Sequence, residues 1–226
     1  MKNQSLFLAG LAASLMAIAP AQAAITVLDD SQGAIQPDEN VLFPTRDVSG
    51  TTVVGETNNT ATEITFESPS ETVVAPSGGQ ARVEADDGSL SALSFYLTEP
   101  GVEGFTQFEF NLFKPLGDVA QTVTITVTYY SAMLEAITDF TFDLDGNGEN
   151  FMIGNATDGD YFTKVSWETS GIGVTDQRQT RIGGIVYEGM APVPEPATWA
   201  LLIIGFAAMG AMMRRRKSQT LSVTYG

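Results

Sequence analysis

From Ile64 onward the chain keeps a period of two. Ile64 and Phe66 alternate with Thr65 and Glu67, and Ala81, Val83 and Ala85 with Arg82 and Glu84. Leu93, Phe95 and Leu97 repeat the pattern, as do Phe108, Phe110 and Leu112. The cleanest run sets Val123, Ile125, Val127 and Tyr129 against Thr122, Thr124, Thr126 and Thr128. Phe140, Phe142 and Leu144 follow, then Phe151 and Ile153, then Tyr161, Thr163, Val165 and Trp167, and last Ile182, Ile185 and Tyr187. Successive side chains of a strand point to opposite faces, so each run predicts one buried and one wet face. That is the antiparallel signature.

Turn formers fall between the runs: Pro76-Ser77-Gly78-Gly79, Asp86-Asp87-Gly88, Glu99-Pro100-Gly101, Gly146-Asn147-Gly148 and Asp158-Gly159-Asp160. Eight to ten short strands so punctuated predict an all-β fold, an antiparallel β-sandwich of jelly-roll type. Residues 61–190 form this domain. Residues 24–60, poor in aromatics, read as a loosely ordered leading segment with one edge strand at Ile25 to Leu28. Met133 to Ile137 reads as a single helical turn. No internal repeat is visible.

Both ends break the alternation. Lys2, the apolar Leu6 to Ala19 and then Ala21-Gln22-Ala23 give the three regions of a secretory signal peptide over residues 1–23. At the other end, Pro194-Glu195-Pro196 forms an extended polar spacer, since proline lacks an amide hydrogen and biases its predecessor away from helix. Ala197 to Met213 follows, apolar on every helical face, and is read as a transmembrane helix over 197–213 at the short edge of what spans a bilayer. Arg214, Arg215, Arg216 and Lys217 act as a stop-transfer block that stays cytoplasmic, with residues 218–226 as a cytoplasmic tail.

This ending, with Trp199-Ala200 after Pro194-Glu195-Pro196, resembles the PEP-CTERM sorting signal of Gram-negative bacteria in its PEPxxWA form, over residues 191–217. The resemblance implies export, a temporary hold in the inner membrane with the C-terminus cytoplasmic, and cutting near the Pro-Glu-Pro by exosortase, a membrane-embedded cysteine peptidase. It places the mature protein at the cell surface or in the extracellular matrix. Gly148-Glu149-Asn150-Phe151 and Gln179-Thr180-Arg181-Ile182-Gly183-Gly184 are similar to the distal part of many such proteins and imply a shared sandwich, not a shared ligand.

Charge narrows the partners. Without Lys2 and residues 214–217, the exported part holds six basic residues against 27 acidic ones, a net charge of −21. Phosphate backbones are repelled, so nucleic acid is not an expected partner. The chain has no cysteine and no histidine. Thiolate nucleophiles, Ser-His-Asp triads, His- or Cys-based zinc sites and imidazole acid-base chemistry are therefore excluded.

Asp143, Asp145 and Asn147, with Gly148 at the sixth position, start like an EF-hand calcium loop, but Gly154 stands where a bidentate carboxylate completes that site. Asp158-Gly159-Asp160 is a second acidic turn. No cofactor is expected; calcium is the one candidate. Tyr96, Tyr130 and Phe162 fall on the opposite parity to their strands' core residues and are the candidates for a sugar-facing surface. The reading is thus an exported, non-enzymatic envelope or extracellular-matrix protein, its partners being signal peptidase, exosortase, the membrane and extracellular polysaccharide. A carbohydrate-binding module, with or without calcium, is the alternative, and a small jelly-roll glycosidase or lyase the third. No catalytic residue is marked, because a hydrolase needs two facing carboxylates and no local motif singles out a pair. Because Ala21 and Ala23 supply the small residues signal peptidase requires, the exported protein should begin at Ala24; N-terminal sequencing checks this, and an intact Met1 contradicts it.

Overall fold

The structure, a computed structural model, describes residues 25–45, 47–76, 79–114, 120–131, 134–146, 148–189 and 202–210. The signal-peptide residues 1–23, Asn147, Pro194 to Ala200 and Arg214 to Lys217 lie outside these. Fifteen antiparallel strands are described. The first four are β1 (Thr26–Asp30), β2 (Glu39–Phe43), β3 (Val48–Gly50) and β4 (Thr52–Thr57). Next come β5 (Glu63–Glu67), β6 (Val73–Ala75), β7 (Gly79–Gln80), β8 (Arg82–Ala85) and β9 (Ala92–Leu97). The longer strands follow: β10 (Val102–Phe113), β11 (Thr122–Ser131), β12 (Leu134–Asp143), β13 (Phe151–Asn155), β14 (Tyr161–Thr169) and β15 (Asp176–Tyr187).

All-β and antiparallel stand as expected; the arrangement is more specific. Hydrogen bonds join every strand into one sheet, and seven of them close into a ring in the order β10-β14-β9-β5-β4-β2-β15 and back to β10. Facing walls of a closed ring share a core just as two stacked sheets do, so alternation alone does not separate the two arrangements. Strand β10 is the seam. It pairs with β15 from Val102↔Tyr187 to Phe113↔Asp176, with β13 from Gln107 to Asn111, and with β14 at Phe105↔Phe162. Strands β13 and β1 continue outward from β10, and β11 and β12 from β14.

Two expectations are corrected. Where one edge strand was expected, the described residues 25–45 and 47–57 contain four, β1 to β4; they are short and bury only alternate residues such as Val41, Phe43 and Val53, so the apolar count is low. Residues 134–137 are not a helical turn but the start of β12, held by Tyr130↔Glu135 and Thr128↔Ile137.

The core is a chain of phenylalanines. Phe43, Phe66, Phe95, Phe105, Phe108, Phe110 and Phe162 are all at most 2% exposed. Their rings meet in tilted, stacked and edge-to-face pairs, from Phe43–Phe66 at 5.6 Å to Phe108–Phe162 at 5.0 Å. Such pairs add roughly 0.5–1.5 kcal/mol each beyond area burial. Trp167 joins them and donates its Nε1–H to Gln177 Oε1 at 2.6 Å, while Gln177 Nε2 donates to Thr180 Oγ1 at 3.0 Å. Beside this, the fully buried Asp176 accepts from Arg178 Nε and Nη2 at 2.5 and 2.6 Å and from Arg82 Nε at 3.1 Å. Two guanidiniums offset the desolvation of one carboxylate.

Residues 202–210 form a helix whose apolar side chains, Leu202, Ile203, Ile204, Phe206 and Met209, are all more than half exposed. Among the described residues no helix is long and apolar enough to cross a membrane; 197–201 and 211–213 of the expected span lie outside them.

Gly154 is where the core admits no side chain, since an added Cβ would lie 2.0 Å from the Phe108 ring. Phe108 is fully buried among other rings and has no room to yield. Gly154→Ala should therefore lower stability by about 1–3 kcal/mol, read by urea unfolding; an unchanged midpoint would contradict this packing.

Candidate functional site

Two places bring together the polar residues that the sequence singled out. The first surrounds the expected calcium loop. Asp145 and Glu149 line a depression of about 340 Å³ with Asp29 and Asp30 of β1; Asp143 does not line it. Asp143 instead ends β12, opposite Thr122. Among the described residues no group of three or more carboxylates is placed to hold a metal ion.

What organises this loop is Asn150, which sequence reasoning passed over. Its backbone N–H donates to Asn111 Oδ1 at 3.0 Å, and its Nδ2 donates to Leu112 O at 3.1 Å and Asp145 O at 3.3 Å. In return the Asp145 N–H donates to Asn150 Oδ1 at 2.5 Å. The fully buried amide thus closes the turn by itself, as a short polar side chain that mimics backbone does. Crowding remains: the Asp29 carboxyl is raised above the ordinary range by partial burial first, then by the charges of Asp145 and Asp30.

The second place is the outer face of the ring wall. Pairing aligns a row across five strands: Glu67↔Ser94, Ser94↔Ser166, Ser166↔Thr126 and Thr126↔Asp139. A groove of about 330 Å³ follows this row from Glu67 to Thr126, flanked by Lys164 and Glu168; Asp139 does not line it. Thr126 Oγ1 donates to Asp139 at 2.7 Å, and the hydroxyls of Thr124 and Thr141 meet at 3.3 Å.

Tyrosines stand along one side of the row. Tyr96, half-buried, donates to Glu67 Oε2 at 3.3 Å and carries the Lys164 ammonium 5.2 Å above its ring; Lys164 also reaches Glu67 at 3.8 Å. Tyr130 and Tyr161 are cross-strand partners on the same face, their rings 5.5 Å apart and within 4° of parallel. Tyr161 has its place because residue 104 is glycine: an added Cβ there would come within 2.1 Å of Phe162 O and 2.8 Å of the Tyr161 ring. Burial, then a hydrogen bond to Glu103, then the charges of Glu103 and Tyr130 push the Tyr161 phenol up to about 12. Burial and then Glu67 raise that of Tyr96. Both rings stay protonated donors at neutral pH.

So Tyr96 and Tyr130 are where parity put them, and Phe162 is not. It is fully buried, in the core against Phe105 and Phe108. A bulge at Thr163 sets Thr128 opposite Lys164 but Tyr129 opposite Phe162, and reverses which residues of β14 face out. The outward aromatic is Tyr161, one residue earlier. No local turn residue marks that bulge in the sequence.

The model of the PEP-CTERM protein-sorting motif matches residues 192–217, so the chain carries that motif. No curated protein matches the chain. Among solved structures, two point variants of CBM29-2, a family 29 carbohydrate-binding module, are 11% identical over 74% of this chain, covering 92% and 85% of their own. Their TM-score is 0.21, too low to carry any weight for fold or ligand.

Partial burial first, and then the charges of Asp145 and Asp30, make the Asp29 carboxyl bind a proton more readily folded than unfolded. The contribution of this group to stability therefore falls as pH rises through the carboxylate range. Asp29→Asn should raise the melting temperature at pH 7, and the gain should shrink toward pH 3, where the wild-type carboxyl is neutral in both states. Thermal melts across that range check it; a lowered melting temperature at pH 7 contradicts the repulsion.

Proposed function

We propose that this chain is an exported, non-enzymatic envelope or extracellular-matrix protein, led out by a signal peptide at 1–23 and sorted by the PEP-CTERM motif it carries at 192–217. The motif is the observation that carries this reading. Exosortase is the processing enzyme, acting near Pro194-Glu195-Pro196.

The tail's chemistry supports a temporary anchor. The helix at 202–210 shows apolar side chains on every side, which suits lipid and not water. Arg214 to Lys217 would each cost roughly 2.5–3.5 kcal/mol at the bilayer centre, so the tail does not slip through and the domain faces outward. The absence of histidine and cysteine removes the commonest nucleophile and acid-base groups and supports a binding or structural role.

In the native host, Glu195→Ala or loss of exosortase should leave a larger, membrane-bound form, seen by fractionation and blotting. Mass spectrometry of the mature wild-type protein should find no Trp199 to Arg216. A mature protein that retains those residues makes the helix a permanent anchor and ends the sorting reading.

A further inference from the structure

We propose that the outer groove across β5, β9, β14 and β11 binds a neutral, unbranched polysaccharide chain. This goes beyond the sorting reading and stands on the domain alone.

Four features meet there. The first is a regular ladder of oxygen groups. Glu67, Ser94, Ser166, Thr126 and Asp139 follow one another strand by strand, four gaps of about 4.8 Å each and so roughly 19 Å in all. A linear chain of pyranose rings laid across the strands meets a new donor or acceptor at about every ring. The second is a depression of about 330 Å³ lined by the first four of these, Glu67, Ser94, Ser166 and Thr126, into which such a chain settles. Ligand sites are concave in this way, with a few placed polar groups.

The third is Tyr96, which stands beside the groove through its contacts to two of the lining residues: its phenol is fixed on Glu67 and Lys164 lies over one face of its half-buried ring, leaving the other face for the apolar C–H side of a sugar. Rings immobilised before binding lose little entropy when a ligand arrives.

The fourth is charge, which selects neutral chains. Glu67 and Glu168 line the groove, and among the described lining residues Lys164 is the one cation, already engaged by Glu67. A polyuronate would meet like charge along its whole length, whereas hydroxyls find carboxylate acceptors, the stronger kind of hydrogen bond.

The test uses the full chain, solubilised in a detergent without a sugar headgroup, in affinity electrophoresis through gels containing hydroxyethyl cellulose, dextran or alginate. Retardation by at least one of the two neutral polymers, and none by alginate, is expected. Tyr96→Ala should weaken it about tenfold, the size of one stacking contact. Ser166→Arg fills the groove from the outer face without touching the core and should abolish retardation while circular dichroism stays that of the wild type. Three results each overturn the proposal: no retardation by either neutral polymer, retardation that survives both Tyr96→Ala and Ser166→Arg, or retardation by alginate alone. Because binding is read on unprocessed chain, none of these outcomes depends on whether exosortase cuts the tail.

Discussion

The structure depends on one strand having partners on both edges and changing them partway along. Strand β10 lies along β15 for its whole length, yet its other edge meets β14 only at Phe105↔Phe162 before β13 takes over. That single bridge closes the ring. It occurs at the most crowded point of the core, where Phe105 packs on Phe95 and Phe162, and Phe108 on both Phe162 and Phe110. Backbone pairing so limited holds because the aromatic contacts on its inner side over-determine it. Gly154 is the same constraint from the other side: β13 comes close enough to pair with β10 only by presenting no side chain to Phe108.

Around this apolar centre a few buried polar groups fix the register. Asp176 with Arg82 and Arg178 ties β15 to β8, and Gln177 ties the next residue of β15 to Trp167 of β14. A strand slipped by one residue would bury Arg178 and expose the apolar face, so these partners and the hydrophobic pattern specify the same alignment. The outer face is then free of structural duty. Its side chains are held in rows by the pairing beneath them, which is how a sheet positions a surface with little help from loops.

Much of this was legible in the alternation of side chains. Val123, Ile125 and Val127 are fully buried opposite their threonines, and Leu93, Phe95, Phe108 and Phe110 are core as the period demanded. Three things escaped. The strands of the leading segment are too short for a period to show. The bulge at Thr163 flips parity without a glycine or proline to announce it, and so Phe162 stood where Tyr161 belongs. The lock at Asn150 depends on Asn111 and Leu112, about forty positions away, a distance no local pattern reaches. In the acidic loop the sequence pattern and the structure part company over Asp143, which ends β12 and does not line the depression that Asp145 shares with Asp29 and Asp30.

Strand β15 has a meaning in time as well as in space. It is the last of the described strands, it holds β10, β2 and β8 at once, and only residues 188–191 separate it from the sorting motif. A chain delivered from its N-terminus therefore cannot close its ring until the segment next to the tail has emerged. Before that moment β2, β8 and β10 lack a shared neighbour and the phenylalanine core is open to solvent. Whatever pauses the tail also gives the domain the interval in which its final strand finds its place. A release that came too early would free a sheet still unclosed, with its edges exposed to those of other copies.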